Sequence, residues 1–273
     1  MTTLMAHVDT SIPSQPTGAA AHLAARHAGH HGLKLYGGWF CPFVQRAWIT
    51  LCEKKIAHQY IDMNPYRKQD EFLRMNPRGL VPTLMVPGHG ALFESSIICE
   101  YLDHCYPEPP LLPSQPYAKA RARLLIDHVS SRIVPAFYKL LQHTPTKPYS
   151  LDQARHELHG HLCYLVQQMD SAGPWALGSS LSLVDISLAP WAKRLWLIDH
   201  YKEGGVGIPA EGDAADDAVW RRWRTWLEAI VSRQSVKDTW SDDASYIEAY
   251  KRYAQDTTGS LVGQATRKGE RLP

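Results

Sequence analysis

The sequence predicts an α/β domain followed by an all-α domain. Strand and helix patterns alternate up to about residue 106, only helical periodicity follows, and 273 residues suffice for two small domains. The predicted boundaries are a disordered arm at 1–32, an α/β domain at 33–106, a linker at 107–116, a helical domain at 117–257 and a flexible tail at 258–273.

The arm and the tail are predicted to be unstructured because both are polar and rich in small residues. A mitochondrial presequence is rich in arginine and poor in acidic residues. The arm has only Arg26 and also carries Asp9, so targeting is the less favoured interpretation and the expected location is the cytoplasm.

The α/β domain is predicted to contain a strand at 33–36, a helix at 42–54, a strand at 58–63, a hairpin at 83–86 and 91–93, and a final helix. Val44, Ala47, Trp48 and Leu51 recur at the spacing of one helical face, which predicts that this face packs on the sheet. A β-α-β unit followed by a hairpin and a helix is the thioredoxin-like order.

In the helical domain two serines are predicted to cap helices. Ser150 is followed three residues later by Gln153, and Ser182 by Asp185, and both precede apolar periodic runs. This is the spacing of a capping box. We interpret both motifs as structural.

Cys41 is the predicted reactive residue. It lies between the first strand and the first helix of the α/β domain, and Pro42 suits the first helical position. Unpaired N–H groups and the dipole at a helix N-terminus favour a thiolate, so a lowered pKa is expected. The alternative is that Cys41 is a small apolar filler, as most free cysteines are.

The cysteine pattern predicts a monothiol site. Val44 stands where a second cysteine of a Cys-x-x-Cys motif would be, so an outside thiol must regenerate Cys41. The other cysteines lack metal-site or dithiol spacing and are interpreted as structural, and no metal is expected. They are Cys52, Cys99, Cys105 and Cys163.

Two further segments are suited to a peptide-like thiol such as glutathione. Pro82 opens a strand, where a cis bond would turn the backbone of Val81 outward, although a plain edge-strand proline is the alternative. Ser95 or Ser96 is predicted to cap the next helix, whose N-terminus can receive a carboxylate, while Glu94 can take an amine. The alternative is an ordinary helix cap.

The chain resembles the cytosolic glutathione transferases, and among them the omega-type cysteine class. The resemblance covers residues 33–253 and rests on three blocks in the same order, FCPFVQR at 40–46, NPRGLVP at 76–82 and ESSIICEYL at 94–102. It implies a thioredoxin-like glutathione-binding domain, an all-helical second domain, a cis bond at Pro82 and a homodimer.

The resemblance also assigns roles to residues. Cys41 would form a mixed disulfide with glutathione, and Phe43 would lie beside it. Lys68, Val81, Pro82, Glu94 and Ser95 would bind glutathione, while the second-substrate pocket would include Phe40, Pro42 and Trp226. Tyr36 is the internal rival to Cys41, because other transferase classes activate glutathione with a tyrosine near the first strand, but its place before Gly-Gly favours packing.

These observations predict a glutathione-dependent thiol transferase or reductase with weak conjugating activity. Expected substrates are glutathionylated thiols, dehydroascorbate or S-(2-oxoalkyl)glutathiones. The alternative is a non-catalytic interaction or redox-sensing module of the same fold.

Composition argues against two other classes of function. The formal net charge is only +2, and the basic run at 221–224 reads as the solvated side of a helix, so no nucleic-acid partner is expected. No stretch of about 18 apolar residues is uninterrupted by charge, so no membrane partner is expected. The same observation argues against a membrane-inserting relative of this fold.

Overall fold

The computed structural model describes residues 12, 15–64, 66, 68–213, 215 and 217–273. A mixed four-stranded sheet and its helices form the first part of the chain. The elements are α1 Gly18–Arg26, β1 Lys34–Gly37, α2 Pro42–Glu53, β2 Gln59–Asp62, α3 Asp70–Met75, β3 Thr83–Val86, β4 Gly90–Phe93 and α4 Ser95–Cys105.

Helices make up the second part among the described residues. They are α5 Pro116–His128, a π-helical turn at Val129–Ile133, α6 Val134–Leu141, α7 Leu151–Gln168, α8 Leu183–Ala192, α9 Leu195–Tyr201, α10 Ala218–Ser232, α11 Gln234–Asp238, α12 Asp243–Ala254 and α13 Leu261–Lys268. The predicted combination of a thioredoxin-like domain with a helical domain is therefore confirmed.

The sheet has the order β2-β1-β3-β4. β1 runs parallel to β2, and β1–β3 and β3–β4 are antiparallel pairs. Leu35 of β1 lies opposite Tyr60 on one side and Leu84 on the other. These side chains and the buried face of α2 form one apolar core. This packing fixes the position of the loop that joins the end of β1 to α2.

The prediction of a disordered arm does not describe residues 18–26, which form α1. Ala20 and Leu23 are buried there, and the backbone N–H of Ala20 donates to the Trp240 carbonyl at 3.1 Å. The alanine-rich composition that suggested disorder also has high helix propensity, and a tertiary contact stabilises the helix. Residues 1–11, 13 and 14 lie outside the described residues.

The predicted flexible tail likewise contains a helix, α13. Ser260 accepts a hydrogen bond from the Gly263 N–H at 2.9 Å, and Gly269 ends the helix with a φ of 68°. Arg267 donates to the Thr258 carbonyl at 2.7 Å and ties the helix to the chain before it. The polar composition of this segment suggested a flexible tail, although the segment forms a short capped helix.

Both predicted capping boxes are confirmed. The Ser150 hydroxyl accepts from the Gln153 N–H at 3.0 Å, and the Gln153 side chain accepts from the Ser150 N–H at 2.8 Å. Asp185 is fully buried and accepts from the Ser182 N–H and hydroxyl at 2.8 and 2.6 Å. These contacts fix the start of α8, the helix that packs on α2.

Candidate active site

A cavity of about 1090 Å³ lies between the two domains. Nearly every residue that the sequence predicts for the site lines this cavity. These residues are Phe40, Cys41, Pro42, Phe43, Lys68, Val81, Pro82, Glu94 and Ser95.

Cys41 stands at the N-terminus of α2, as predicted, and Pro42 is the first helical residue. Its thiol donates to the Val81 carbonyl with an Sγ–O distance of 3.9 Å. The Val81–Pro82 peptide bond is cis. The thiol therefore faces the strand segment that precedes β3, where an extended ligand has backbone groups to pair with.

The expected lowering of the Cys41 pKa is not what the structure shows. Burial raises the pKa of the Cys41 thiol, although the backbone N–H groups of Val44 and Phe43 and the guanidinium groups of Arg194 and Arg46 act in the opposite direction. The helix N-terminus does stabilise the thiolate, but desolvation outweighs it. The sequence pattern places backbone N–H donors next to the Cys41 thiol, but it does not show how deeply the thiol is buried.

Glu94 and Ser95 begin α4 differently from the prediction. Glu94, rather than a serine, is the N-cap residue, with a φ of 71°, and its side chain makes no capping hydrogen bond. Because a positive φ is costly for a residue with a side chain, tertiary structure must hold this turn, as is common at binding sites. The first N–H groups of α4 are left to meet an anion at the cavity wall.

Charged neighbours surround this turn. The Glu94 carboxylate forms an ion pair with Arg78. Ser95 is buried, and its hydroxyl accepts from Nη1 of Arg46 at 3.4 Å. Lys68 lines the same cavity and lies beside Gly79. The left-handed φ of 62° at Gly79 lets the chain turn close to the lysine side chain. Both signs of charge needed for a zwitterionic peptide are present.

Arg46 is a site residue that sequence reasoning missed. Its side chain is only 2% exposed, yet it lines the cavity, and its Nε donates to the Ser187 carbonyl of α8 at 2.8 Å. Burial lowers the pKa of Arg46 to about 10. Its place in the FCPFVQR block at 40–46 was the available signal, but that block carries no measure of burial.

The helical domain and the tail supply the opposite wall of the cavity. Tyr138, Tyr250 and Tyr253 give it an aromatic surface, and Leu261 and Arg271 of the tail lie at the same cavity. Tyr246, Tyr250 and Tyr253 recur at helical spacing in the sequence, so this face was detectable. Nothing in the sequence of the tail indicated that it would reach the site.

The prediction that Trp226 edges the second-substrate pocket is wrong for this structure. Trp226 is fully buried in the helical domain, and its Nε1 donates to Asp185 at 2.8 Å. It is absent from the residues that line the cavity. The apolar face of α10 is a core face, so Trp226 stabilises the start of α8 instead.

Tyr36, the rival to Cys41, does not line the cavity. It lies in β1, and its ring packs against Phe72 with centroids 6.0 Å apart. Burial raises its pKa, which disfavours a phenolate. The structure agrees with the packing role.

Not all the other cysteines are core residues. Cys99 is buried and accepts from the Thr50 hydroxyl at 3.2 Å, whereas Cys105 is exposed at the end of α4. The structural interpretation therefore fails for Cys105. Its exposure makes it a useful control for thiol chemistry.

Asp62 is a partly buried carboxyl behind the segment that leads to Cys41. It ends β2 opposite Gly37, and it lines a small cavity together with Trp39 and Phe40. Burial raises the pKa of Asp62 to about 7, although hydrogen bonds from the Trp39 N–H and the Tyr60 hydroxyl oppose this. Between pH 3.8 and about 7 the native state therefore retains a proton that the unfolded chain has lost.

This shift predicts a pH-dependent effect of Asp62→Asn on stability. A raised carboxyl pKa costs stability as the pH rises from the unfolded value of 3.8 to about 7. Asparagine removes this cost, so the Tm gain of the variant over wild type should be larger at pH 8 than at pH 5. Thermal unfolding of both proteins at the two pH values measures it, and an equal difference at both would contradict the assignment.

Among the described residues, no group of three or more His, Cys, Asp or Glu side chains is placed to hold a metal ion. No helix in this part of the chain is both long and apolar enough to cross a membrane.

The fold and the site define a class of protein. A thioredoxin-like domain presents a cysteine at a helix N-terminus against a cis-proline segment, and a helical domain closes the cavity. The family model described as "Glutathione S-transferase, N-terminal domain" matches residues 40–105, and "Glutathione S-transferase, C-terminal domain" matches 148–229.

Relatives agree with this class. Glutathione S-transferase omega-1 from Mus musculus is 31% identical over 225 residues, covering 82% of this chain and 87% of the relative. The crystal structure of glutathione transferase Omega 3C from Trametes versicolor is 38% identical, with a TM-score of 0.78, and the match covers 90% of this chain and all of that one. A rice glutathione transferase solved in complex with glutathione is 27% identical, with a TM-score of 0.66 and a coverage of 80% and 96%.

The chain belongs to the glutathione S-transferase family and is omega-like within it. It is therefore a glutathione transferase enzyme, of a family that uses glutathione as co-substrate.

Proposed function

We propose that the protein is a glutathione-dependent thiol transferase that works through a disulfide between Cys41 and glutathione. The observation that carries the proposal is the position of the Cys41 thiol, 3.9 Å from the Val81 carbonyl inside the interdomain cavity. A ligand that pairs its cysteinyl backbone with Val81 brings its sulfur next to Cys41.

The rest of the site suits the ends of glutathione. Ser95 and the first N–H groups of α4 would receive the γ-glutamyl carboxylate, and Glu94 would meet the amine. Lys68 would meet the glycine carboxylate. Phe43 lies beside Cys41 at the cavity, and Phe40 and Pro42 also line it toward the helical domain.

The reaction has two thiol–disulfide exchanges. The Cys41 thiolate attacks the glutathione sulfur of a mixed disulfide, a Cys41–glutathione bond forms, and the substrate thiolate leaves and takes a proton. The thiolate of a second glutathione then attacks the glutathione sulfur of that adduct, which releases oxidised glutathione and the Cys41 thiolate. The net change is one substrate disulfide and one glutathione converted to one thiol and one oxidised glutathione.

The substrate class follows from this sulfur chemistry. Glutathionylated thiols enter the first step directly. With an S-(2-oxoalkyl)glutathione, Cys41 attacks the same sulfur, the C–S bond breaks, and the ketone leaves as an enolate that takes a proton. Dehydroascorbate would enter by addition of the Cys41 thiolate to one of its carbonyl carbons. Attack of a glutathione thiolate on the Cys41 sulfur would then form the same Cys41–glutathione disulfide and release ascorbate. Because the cycle consumes reduced glutathione, we place it in the cytoplasm, where the glutathione pool is reducing.

Conjugation is expected to be weak. A hydroxyl beside the bound glutathione would stabilise its thiolate for attack on an electrophile, whereas a cysteine there tends to form a disulfide with it. We expect the wild-type enzyme to reduce hydroxyethyl disulfide with glutathione and to conjugate an aryl halide slowly. Both rates can be measured on one preparation, and fast conjugation without reduction would contradict the proposal.

We further propose that the protein forms a homodimer through α4 and α5. Glu100 and Arg123 form an ion pair between these helices, and the apolar side chains beside them, Ile97 and Leu124, are 56% and 60% exposed. Tyr117 at the start of α5 is 72% exposed. Large apolar side chains exposed on two helices that an ion pair joins are typical of a subunit interface. Light scattering that gives the mass of one chain would contradict the dimer.

A further inference from the structure

Arg194 connects the helical domain to the segment that carries Cys41. It lies between α8 and α9, and its side chain is fully buried. Nη1 donates to the Gln45 side chain of α2 at 2.5 Å, and Nη2 donates to the Phe40 carbonyl at 3.3 Å. Arg194 does not line the cavity, so we do not expect it to contact a ligand bound there.

The Phe40 carbonyl receives a second donor from the helical domain. The hydroxyl of Tyr250 in α12 donates to it at 3.2 Å. This carbonyl belongs to the peptide unit that ends at the N–H of Cys41. Two hydrogen bonds from the helical domain therefore fix the plane of the peptide bond that precedes the reactive residue.

The charge of Arg194 has no carboxylate partner among the described residues. Its guanidinium group is enclosed by aromatic rings, 4.9 Å from the Trp240 centroid and 4.8 Å from that of Tyr246. The other polar contacts are to neutral oxygens, including the Pro190 carbonyl at 2.7 Å. A buried, unbalanced cation stabilises an anion nearby, because electrostatic interactions are strong away from water.

Cys41 is the acidic group whose thiolate this positive charge stabilises. The other titratable groups whose charges act on Cys41, or that face it from the packed elements, are Arg46 of α2, Tyr60 of β2, Tyr138 of α6, and Tyr246, Tyr250 and Tyr253 of α12. Burial raises the pKa of each of these tyrosines, so they are neutral near pH 7. The charged residues at the cavity wall are Lys68, Arg78, Glu94, Asp127, Arg132, Glu270 and Arg271.

We propose that Arg194 is a positioning residue for the reaction at Cys41. It orients the Phe40–Cys41 peptide unit and supplies a fixed positive charge that stabilises the Cys41 thiolate, both as the attacking group and as the leaving group of the second exchange. This role rests on the proposed function, because it matters only if Cys41 reacts. Desolvation raises the pKa of the partly buried Cys41 thiol, and the charge of Arg194 acts in the opposite direction.

The test is the pH dependence of Cys41 alkylation by iodoacetamide, followed at the Cys41 peptide by mass spectrometry. We expect Arg194→Met to move the midpoint upward by about one pH unit, which slows alkylation at pH 7 about tenfold. Arg194→Lys keeps the charge and should restore most of the rate.

A second pair of variants keeps Arg194 in place, in case its replacement prevents folding. Gln45→Glu puts a carboxylate next to Nη1, and Gln45→Met removes the same hydrogen bond without adding charge. We expect a higher midpoint in the glutamate variant than in the methionine variant. Equal midpoints in this pair, or a wild-type midpoint in folded Arg194→Met, would overturn the proposal.

Alkylation needs no glutathione, so this experiment does not depend on thiol transferase activity. If wild-type protein fails to reduce disulfides but the Arg194 and Gln45 variants shift the midpoint, the proposed function fails and the role of Arg194 stands. If disulfide reduction is present and the midpoints do not move, only the role of Arg194 is lost.

Discussion

Cys41→Ala should lower glutathione-dependent reduction of hydroxyethyl disulfide at least about a hundredfold, because it removes the nucleophile that forms the covalent intermediate. No second cysteine lies one turn further along α2, where Val44 stands. The alanine is smaller than the thiol and leaves the cap of α2 unchanged, since the Cys41 side chain makes no capping hydrogen bond. Coupled spectrophotometric assays of both proteins measure the loss.

The matched control is Cys105→Ala. Cys105 is an exposed cysteine at the end of α4 and has no contact with the cavity. Its replacement should leave the rate within about twofold of wild type, because surface substitutions away from a site have small effects. A Cys41→Ala enzyme as active as the Cys105→Ala enzyme would show that another group carries the reaction.

Asp185→Ala should destabilise the protein by about 3 kcal/mol or more, equivalent to a Tm lower by about 10 °C. The Asp185 carboxylate accepts from the Ser182 N–H, the Ala176 N–H and Trp226 Nε1 at distances of 2.8, 2.7 and 2.8 Å. Alanine leaves these buried donors without an acceptor, and each such donor costs its full desolvation energy. Thermal or urea unfolding of the purified variant measures the change.

Asp185→Asn is the control for this prediction. Asparagine keeps an oxygen that can accept from Ala176 or Trp226, but its amide nitrogen cannot accept from Ser182. The free energy of unfolding of Asp185→Asn should therefore lie between those of wild type and Asp185→Ala. An alanine variant within about 1 kcal/mol of wild type would contradict the role of Asp185, because capping-box loss alone costs about that much.

The local pattern around Cys41 predicted correctly the strand, loop and helix that carry the candidate site. Apolar residues at helical spacing predicted α2, and the proline after Cys41 located its first residue, because both signals are local in sequence. The hairpin predicted at 83–86 and 91–93 corresponds to β3 and β4. Each of these predictions needed only a few neighbouring residues.

Contacts distant in sequence were not predictable in the same way. The balance that raises the Cys41 pKa depends on desolvation by the assembled domains, and the donors to Phe40 come from Arg194 and Tyr250, more than 150 residues away. The helix at 261–268 reaches the cavity because of its packing on α6, which leaves no pattern in the tail itself. Trp226 shows the reverse case, since its helical face was visible but its partner Asp185 was not.

The most direct test of the mechanism is intact-protein and peptide mass spectrometry after exposure to oxidised glutathione. We expect a single glutathione adduct on Cys41, which reduced glutathione removes and which is absent from Cys41→Ala. Folded wild-type protein that binds glutathione but forms no adduct at Cys41, or forms one only at the exposed Cys105, would contradict it.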